Sequence, residues 1–219
     1  MVSSFLSERE GQLVIRIIRK ALEDYLEKGR ILVDYSNIPA KLNKRKGVFV
    51  GFEIIKDEEG IRTIIPRGRQ GTPFPRESLI RTAVRAAISL AVRDPRYPPL
   101  TFENLSFLTI EFSVVNNIKK IEARNPEELL SKVEIDRKRG AKYGLILEKR
   151  LYREILLPQI IVENRWDAFT ALSQLCFKAG LPLDEWKRGE VTIYAIEMQV
   201  FCELEPGGRV LERQLFFEE

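Results

Sequence analysis

The chain has no histidine and only two cysteines, Cys176 and Cys202, in 219 residues. Without histidine no Ser-His-Asp triad, Cys-His pair or His-based zinc site can be assembled. Two cysteines far apart in sequence, with Cys176 inside an apolar helical pattern, do not make a secreted disulfide framework. No stretch approaches the run of about 18 uncharged apolar residues that a membrane span needs. Met1 to Glu8 lacks the basic region and following apolar run of an export signal. These absences predict a soluble, cytoplasmic protein with no membrane association. The sequence also has no Gly-x-x-x-x-Gly-Lys-Ser/Thr phosphate loop, no dinucleotide fingerprint and no three-cysteine cluster for an iron-sulfur centre. No metal set is predicted, no cofactor is indicated, and any radical chemistry would have to be carried by a partner.

What is present is charge of both signs, 31% of residues with a net charge of +4, and clear local periodicity. Ser7 and Glu10 form a capping box ahead of an apolar stripe from Leu13 to Leu26, and Gly29 supplies the stop, so the first helix is the best-defined element. Gly47–Ile55 and Ile61–Ile65 read as paired strands around a turn at Asp57-Glu58-Glu59-Gly60. A second amphipathic helix carries Leu79, Ile80, Ala83, Val84, Ala87, Leu90 and Ala91 and ends near Asp94-Pro95. Leu108–Val115 alternates as a strand that carries Glu111. Asn125-Pro126 caps a short helix through Lys132. Strands are predicted at Tyr143–Glu148, Ile155–Ile161 and Val191–Leu204, and a helix at Asp167–Ala179. Gly207-Gly208 begins a frayed tail. Strands and helices do not alternate regularly, which favours an α+β fold of mostly antiparallel sheets with flanking helices.

Arg67-Gly68-Arg69-Gln70-Gly71-Thr72-Pro73-Phe74-Pro75 reads as a tight loop that presents arginines ahead of the second helix. Glycines admit backbone angles and close approaches that a Cβ blocks, and amides at a helix start favour negative charge. Arg62, Arg67, Arg69, Arg76, Arg81 and Arg85 stand against Glu77 alone between positions 62 and 85. The loop either holds a phosphate or carboxylate or is a plain hairpin exit, and the helical arginines either meet a ligand or form a solvated face.

Asp94-Pro95-Arg96-Tyr97-Pro98-Pro99-Leu100 resembles a block of the AMMECR-type domain, also known as system protein A of the AmmeMemoRadiSam set. Gly47-Val48-Phe49-Val50, Leu157-Pro158-Gln159-Ile160, Glu163, Trp166 and Cys176-Phe177-Lys178-Ala179-Gly180-Leu181 follow in the family's order, from about Gln12 to about Glu203. The resemblance implies a single domain over 1–204, built from a larger helix-rich subdomain and a smaller β-rich one around 116–160, with a cleft between them and a C-terminal tail over 205–219. It implies no settled activity, and a radical-SAM or Memo-type protein as partner. Where the family shows Arg-Gly-Cys-Ile-Gly, this chain has Arg67-Gly68-Arg69-Gln70-Gly71. A guanidinium neither attacks as a thiolate does nor ligates a metal as sulfur does, so no thiol chemistry can operate at position 69.

The candidate binding residues are therefore Arg67, Gly68, Arg69, Gly71, Arg96 and Gln159, and the candidate proton-transfer residues are Asp94 and Glu163. Each has a structural alternative. Prolines around Arg96 stiffen a loop, Gln159 beside Pro158 satisfies backbone groups, and carboxylates are common on surfaces. Two functions stay open on this reading. One is an enzyme or enzyme subunit that binds an anionic small molecule, nucleotide or nucleic-acid base in the cleft. The other is a non-catalytic module for a partner protein or nucleic acid.

Overall fold

Ser7 accepts the Glu10 amide while the Glu10 side chain returns to the Ser7 amide, and this reciprocal cap starts helix α1 (Glu8–Lys28). Gly29, left-handed at φ 70°, ends it as the sequence predicts. The computed structural model describes residues 4–58 and 61–217, without the side chains of 57 and 58. After α1 come β1 (Val48–Glu58), β2 (Ile61–Thr72), α2 (Leu79–Val92), β3 (Leu108–Lys120) and α3 (Pro126–Lys132). The short strands β4 (Ile135–Asp136) and β5 (Gly140–Ala141) precede β6 (Gly144–Lys149) and β7 (Tyr152–Leu156). Helices α4 (Pro158–Glu163) and α5 (Ala168–Lys178) and strands β8 (Thr192–Glu203) and β9 (Val210–Glu212) complete the order. The fold is α+β, and antiparallel pairing joins β1 to β2 and β3, β4 to β5, β6 to β7 and β8, and β8 to β9.

The described residues divide into two compact units, the first made of 4–115 with Gln199–Arg213 and the second of 116–198 with 214–217. In the first, β2 pairs β1, β1 pairs β3, β3 neighbours the end of β8, and β9 pairs that same end. One face of this sheet presents Val48, Val50, Phe52, Ile110, Phe112 and Val114 to the buried stripes of α1 and α2. Val14, Ile15, Ile18 and Leu22 of α1 have no exposed surface, and each such side chain contributes at most about 1.5–3 kcal/mol. Phe112 and Phe201 stack at 6.3 Å in the middle of this core.

The second unit has its own core. Leu145, Leu147 and Leu156 of the β6–β7 hairpin pack with Leu172, Leu175 and Cys176 of α5 and with Trp186. Asn125 caps α3 as its position predicts, and Asp167, expected as the first residue of a helix, is the cap of α5.

Three sequence expectations fail here. Residues 67–72 are not a loop but the continuation of β2, because Arg69 to Thr72 pair with Gly51 to Val48 of β1. Ile155–Ile161 is not one strand, since β7 ends at Leu156 and Pro158 opens α4, where a proline loses no helical hydrogen bond. The segment expected as a tail from 205 instead turns back through Gly207 and pairs with β8 as β9.

Candidate functional site

The register of β1 on β2 slips between Gly51↔Arg69 and Glu53↔Pro66, so Arg67 and Gly68 form a bulge opposite Phe52. Gly68 takes φ 87° there, a left-handed geometry that a Cβ disfavours. A bulge re-aims side chains. Arg67 is only 6% exposed in a strand whose preceding residues are open to solvent. Its Nη1 donates to the Leu90 carbonyl at 3.3 Å, its Nη2 donates to the Pro98 carbonyl, and the guanidinium lies 5.3 Å from the Tyr97 ring centroid. Burial lowers its pKa, with Asp94 opposing. Arg67 thus ties the end of α2 and the following turn onto β2.

That turn carries Asp94 and Arg96, which form a two-pronged pair at 2.9 and 2.7 Å. The Arg96 guanidinium holds the Asp94 carboxyl below its ordinary range. Asp94 is therefore an ionised acceptor at neutral pH and not a proton donor. The pair rests against Gly68, where an added Cβ would lie 2.7 Å from Arg96 Nη2. Arg67, Gly68, Asp94 and Arg96 are thus brought together, as a structural staple completed by the Tyr97 hydroxyl donating to the Pro66 carbonyl at 3.4 Å.

Arg69 leaves the strand on another course. Its Nε donates to Glu111 Oε1 at 2.8 Å, and Arg213 Nη1 donates to Glu111 Oε2 at 3.2 Å. Glu111 is 6% exposed, so a mostly buried carboxylate is held between two guanidiniums. Arg213 lies just beyond β9 and was not among the sequence candidates, because that segment reads as a tail. The signal available was the Gly207-Gly208 turn followed by Val210 and Leu211, a short hairpin return.

Gln159 and Glu163 lie in the second unit, Gln159 buried in the first turn of α4 and Glu163 exposed at its end. Both cysteine thiols are pushed up by burial. Among the described residues no group of three His, Cys, Asp or Glu side chains is placed to hold a metal ion. No helix of the described residues is long and apolar enough to cross a membrane.

The solvent face of α2 bears a different feature. Arg81, Arg85, Ser89 and Arg93 recur every fourth residue and so share one face, rising about 6 Å per step. This face borders a groove of about 620 Å³ in the first unit. Its other walls are Gln70, Gly71 and Thr72 at the end of β2, Tyr25 of α1, and Ile31 and Tyr35 from the segment after α1. Of the sequence candidates, Gly71 lines this groove. An added Cβ there would come within 2.1 Å of the Val48 carbonyl oxygen, so only glycine lets β2 lie against β1 at this point.

Local contacts order the groove walls. The Arg81 guanidinium lies 4.7 Å from the Tyr35 ring centroid, and Gln70 Nε2 donates to Ser89 Oγ at 2.9 Å. Arg85 pairs with Glu77 at 2.7 Å. Among the described residues Arg81 and Arg93 form no ion pair. Burial raises the Tyr35 phenol while Arg81 pulls the other way, so Tyr35 stays protonated at neutral pH. Asp24, 1% exposed, pairs with Lys20 at 2.9 Å and accepts the Leu32 amide, which anchors the start of the segment that carries Tyr35.

Comparison with known proteins gives a consistent relationship. Residues 15–201 match the family model described as AMMECR1. A protein of Thermofilum pendens is 39% identical over 96% of this chain and 97% of its own length. Protein MJ0810 of Methanocaldococcus jannaschii is 38% identical over 96% of this chain and 98% of its own. The crystal structure of uncharacterised protein PH0010 from Pyrococcus horikoshii superposes with a TM-score of 0.86 at 33% identity, covering 97% of this chain and all of that one. With a family model spanning most of its length and relatives matched end to end, the chain belongs to the AMMECR1 family.

Proposed function

We propose that the protein binds an anionic small molecule, in a cytoplasmic setting that suits its two free thiols, and that the first unit holds it in the groove between α2 and the end of β2. The observation that carries this reading is the stripe of Arg81, Arg85 and Arg93 on one wall of a concavity of ligand size. Like charges four residues apart destabilise an isolated helix by a few tenths of a kcal/mol, about 0.2–0.5. A bound phosphate or carboxylate turns that repulsion into attraction. The arginines first singled out are otherwise employed: Arg67 on two carbonyls, Arg69 on Glu111 and Arg96 on Asp94.

Isothermal titration with inorganic phosphate at low ionic strength tests the reading. Wild type is expected to bind, and affinity to fall with added salt because the side chains are exposed. Arg81→Ala and Arg85→Ala are each expected to weaken binding by up to about fivefold, the range that about 0.2–1 kcal/mol for an exposed charge contact allows. Equal affinity in wild type and both variants, or no binding at low salt, would remove the groove as an anion site.

A further inference from the structure

The groove is not only basic. Tyr35 lies beneath the Arg81 guanidinium, and Ile31, 41% exposed, also lines the groove. A site for a bare anion has no use for this apolar and aromatic surface. Resting on the anion-binding reading above, we infer that the groove takes a nucleoside monophosphate, its phosphate on the α2 arginines and its base against Tyr35 and Ile31.

Three features support that class. Every base has a flat π face, and the Tyr35 ring and the Arg81 guanidinium 4.7 Å from its centroid are both groups on which a base stacks. Gln70 uses its amide nitrogen on Ser89, which leaves the Gln70 carbonyl oxygen as an acceptor and the Ser89 hydroxyl proton as a donor toward a base edge or sugar. Arg81 lines the groove without an ion pair among the described residues, and Arg85 beside it shares its charge with Glu77, so this part of the wall keeps positive charge for the anionic phosphate monoester. Glu77, already on Arg85, keeps the groove from being the strongly cationic surface that a polyphosphate favours.

The test compares inorganic phosphate, adenosine monophosphate, uridine monophosphate and a short single-stranded RNA by isothermal titration against wild type, Tyr35→Leu and Tyr35→Phe. Each variant is first checked for a native thermal transition. The nucleotides are expected to bind about tenfold or more tightly than phosphate. Tyr35→Phe keeps the ring and should keep that advantage, whereas Tyr35→Leu, which also releases Arg81, should bring the ratio of nucleotide to phosphate affinity down to about one. Equal affinity of phosphate and nucleotides for wild type would overturn the nucleoside assignment and leave the anion reading standing. No binding of any probe would end both. RNA bound far more tightly than either nucleotide would overturn the assignment in favour of a nucleic-acid strand.

Discussion

Arg69 reaches Glu111 across Gly51. The three residues lie side by side on β2, β1 and β3, with Gly51 opposite Arg69 on one side and Glu111 on the other. A Cβ at position 51 would sit 2.8 Å from Arg69 Cγ and 3.3 Å from Glu111 Oε1. The glycine clears the path for a 2.8 Å ion pair whose side chains are 12% and 7% exposed. Removing one partner of so buried a pair costs more than the pair contributes, because a carboxylate is left under-neutralised. Arg69→Ala is expected to lower stability by about 2–4 kcal/mol, at the low side of the buried-pair range because Arg213 still holds Glu111. Gly51→Ala should act in the same direction. Urea denaturation of the single variants and of the Arg69→Ala, Glu111→Ala double variant measures the coupling. Additive effects would show that the pair is not coupled.

Arg67 spends its guanidinium on the Leu90 and Pro98 carbonyls. Its removal leaves the Leu90 and Pro98 carbonyls without their guanidinium donors, a loss worth about 1–3 kcal/mol at the buried Leu90 and less at the exposed Pro98. Arg67→Ala and Arg67→Lys should both reduce stability by at least about 2 kcal/mol, since an ammonium cannot span two carbonyls as the planar fork does. Calorimetry should record a fall in Tm of several degrees, about 2–4 °C per kcal/mol for a chain of this size. Phosphate affinity of the folded variants should match wild type. A stable Arg67→Ala with lost phosphate binding would return this residue to the ligand site.

Much of this was legible from local pattern. The Ser7–Glu10 cap and the Asn125-Pro126 start are decided within one helical turn, and both helices begin where those residues place them. The bulge at Arg67 and Gly68 was not legible, because it exists only in the register between two strands. The apolar run Ile155–Ile161 hid a boundary that Pro158 marks, since buried strands and short helices share composition. Arg213 meets a carboxylate 102 positions away in sequence, a distance over which no local rule speaks. The arginine stripe of α2 follows from fourfold spacing alone. Its aromatic partner Tyr35 does not, because the segment after Gly29 has no periodicity to place it.

The two glycines of the original motif should respond differently to substitution. At Gly71 an added Cβ meets backbone on both near contacts, the Val48 oxygen at 2.1 Å and the Phe49 Cα at 2.5 Å, so the strands must separate. At Gly68 the obstacle is the tip of Arg96, which can swing away, and the φ of 87° adds a penalty of about 1–2 kcal/mol. Gly71→Ala is therefore expected to be the more destabilising in urea titrations. It should also weaken phosphate binding in any folded fraction, since Gly71 lines the groove. The reverse order of stability would show that β2 yields easily at its end.

The Asp94–Arg96 pair makes a signed prediction for pH. Arg96 holds the folded-state pKa of Asp94 below its ordinary value of about 3.9, so the pair's contribution is complete above that value and is lost as pH falls through the lower, folded-state pKa. Stability measured from pH 6 downward should therefore decline more steeply below about pH 4 in wild type than in Asp94→Asn. Near neutrality the two slopes should agree. An inflection that Asp94→Asn removes between about pH 6 and 8 would mean that Asp94 titrates there, contrary to an ionised, arginine-bound carboxylate.

Neither cysteine has the environment of a reactive thiol. Cys176 has no exposed surface and packs among Leu172, Leu175 and Trp186, while Cys202 lies on β8 near the Glu111 carboxylate. Burial raises both thiols, and a nearby negative charge raises Cys202 further, so the thiolate that would attack or be oxidised is scarce at neutral pH. The native protein should react slowly with a disulfide exchange reagent at neutral pH, and fast release of both equivalents should need denaturant. Cys202→Ser should leave phosphate affinity and the thermal transition close to wild type. Cys176→Ala removes a buried sulfur and should lower stability by about 1 kcal/mol without touching phosphate affinity. Rapid modification of either thiol in the folded state, or loss of phosphate binding in a folded cysteine variant, would place sulfur at the working site after all.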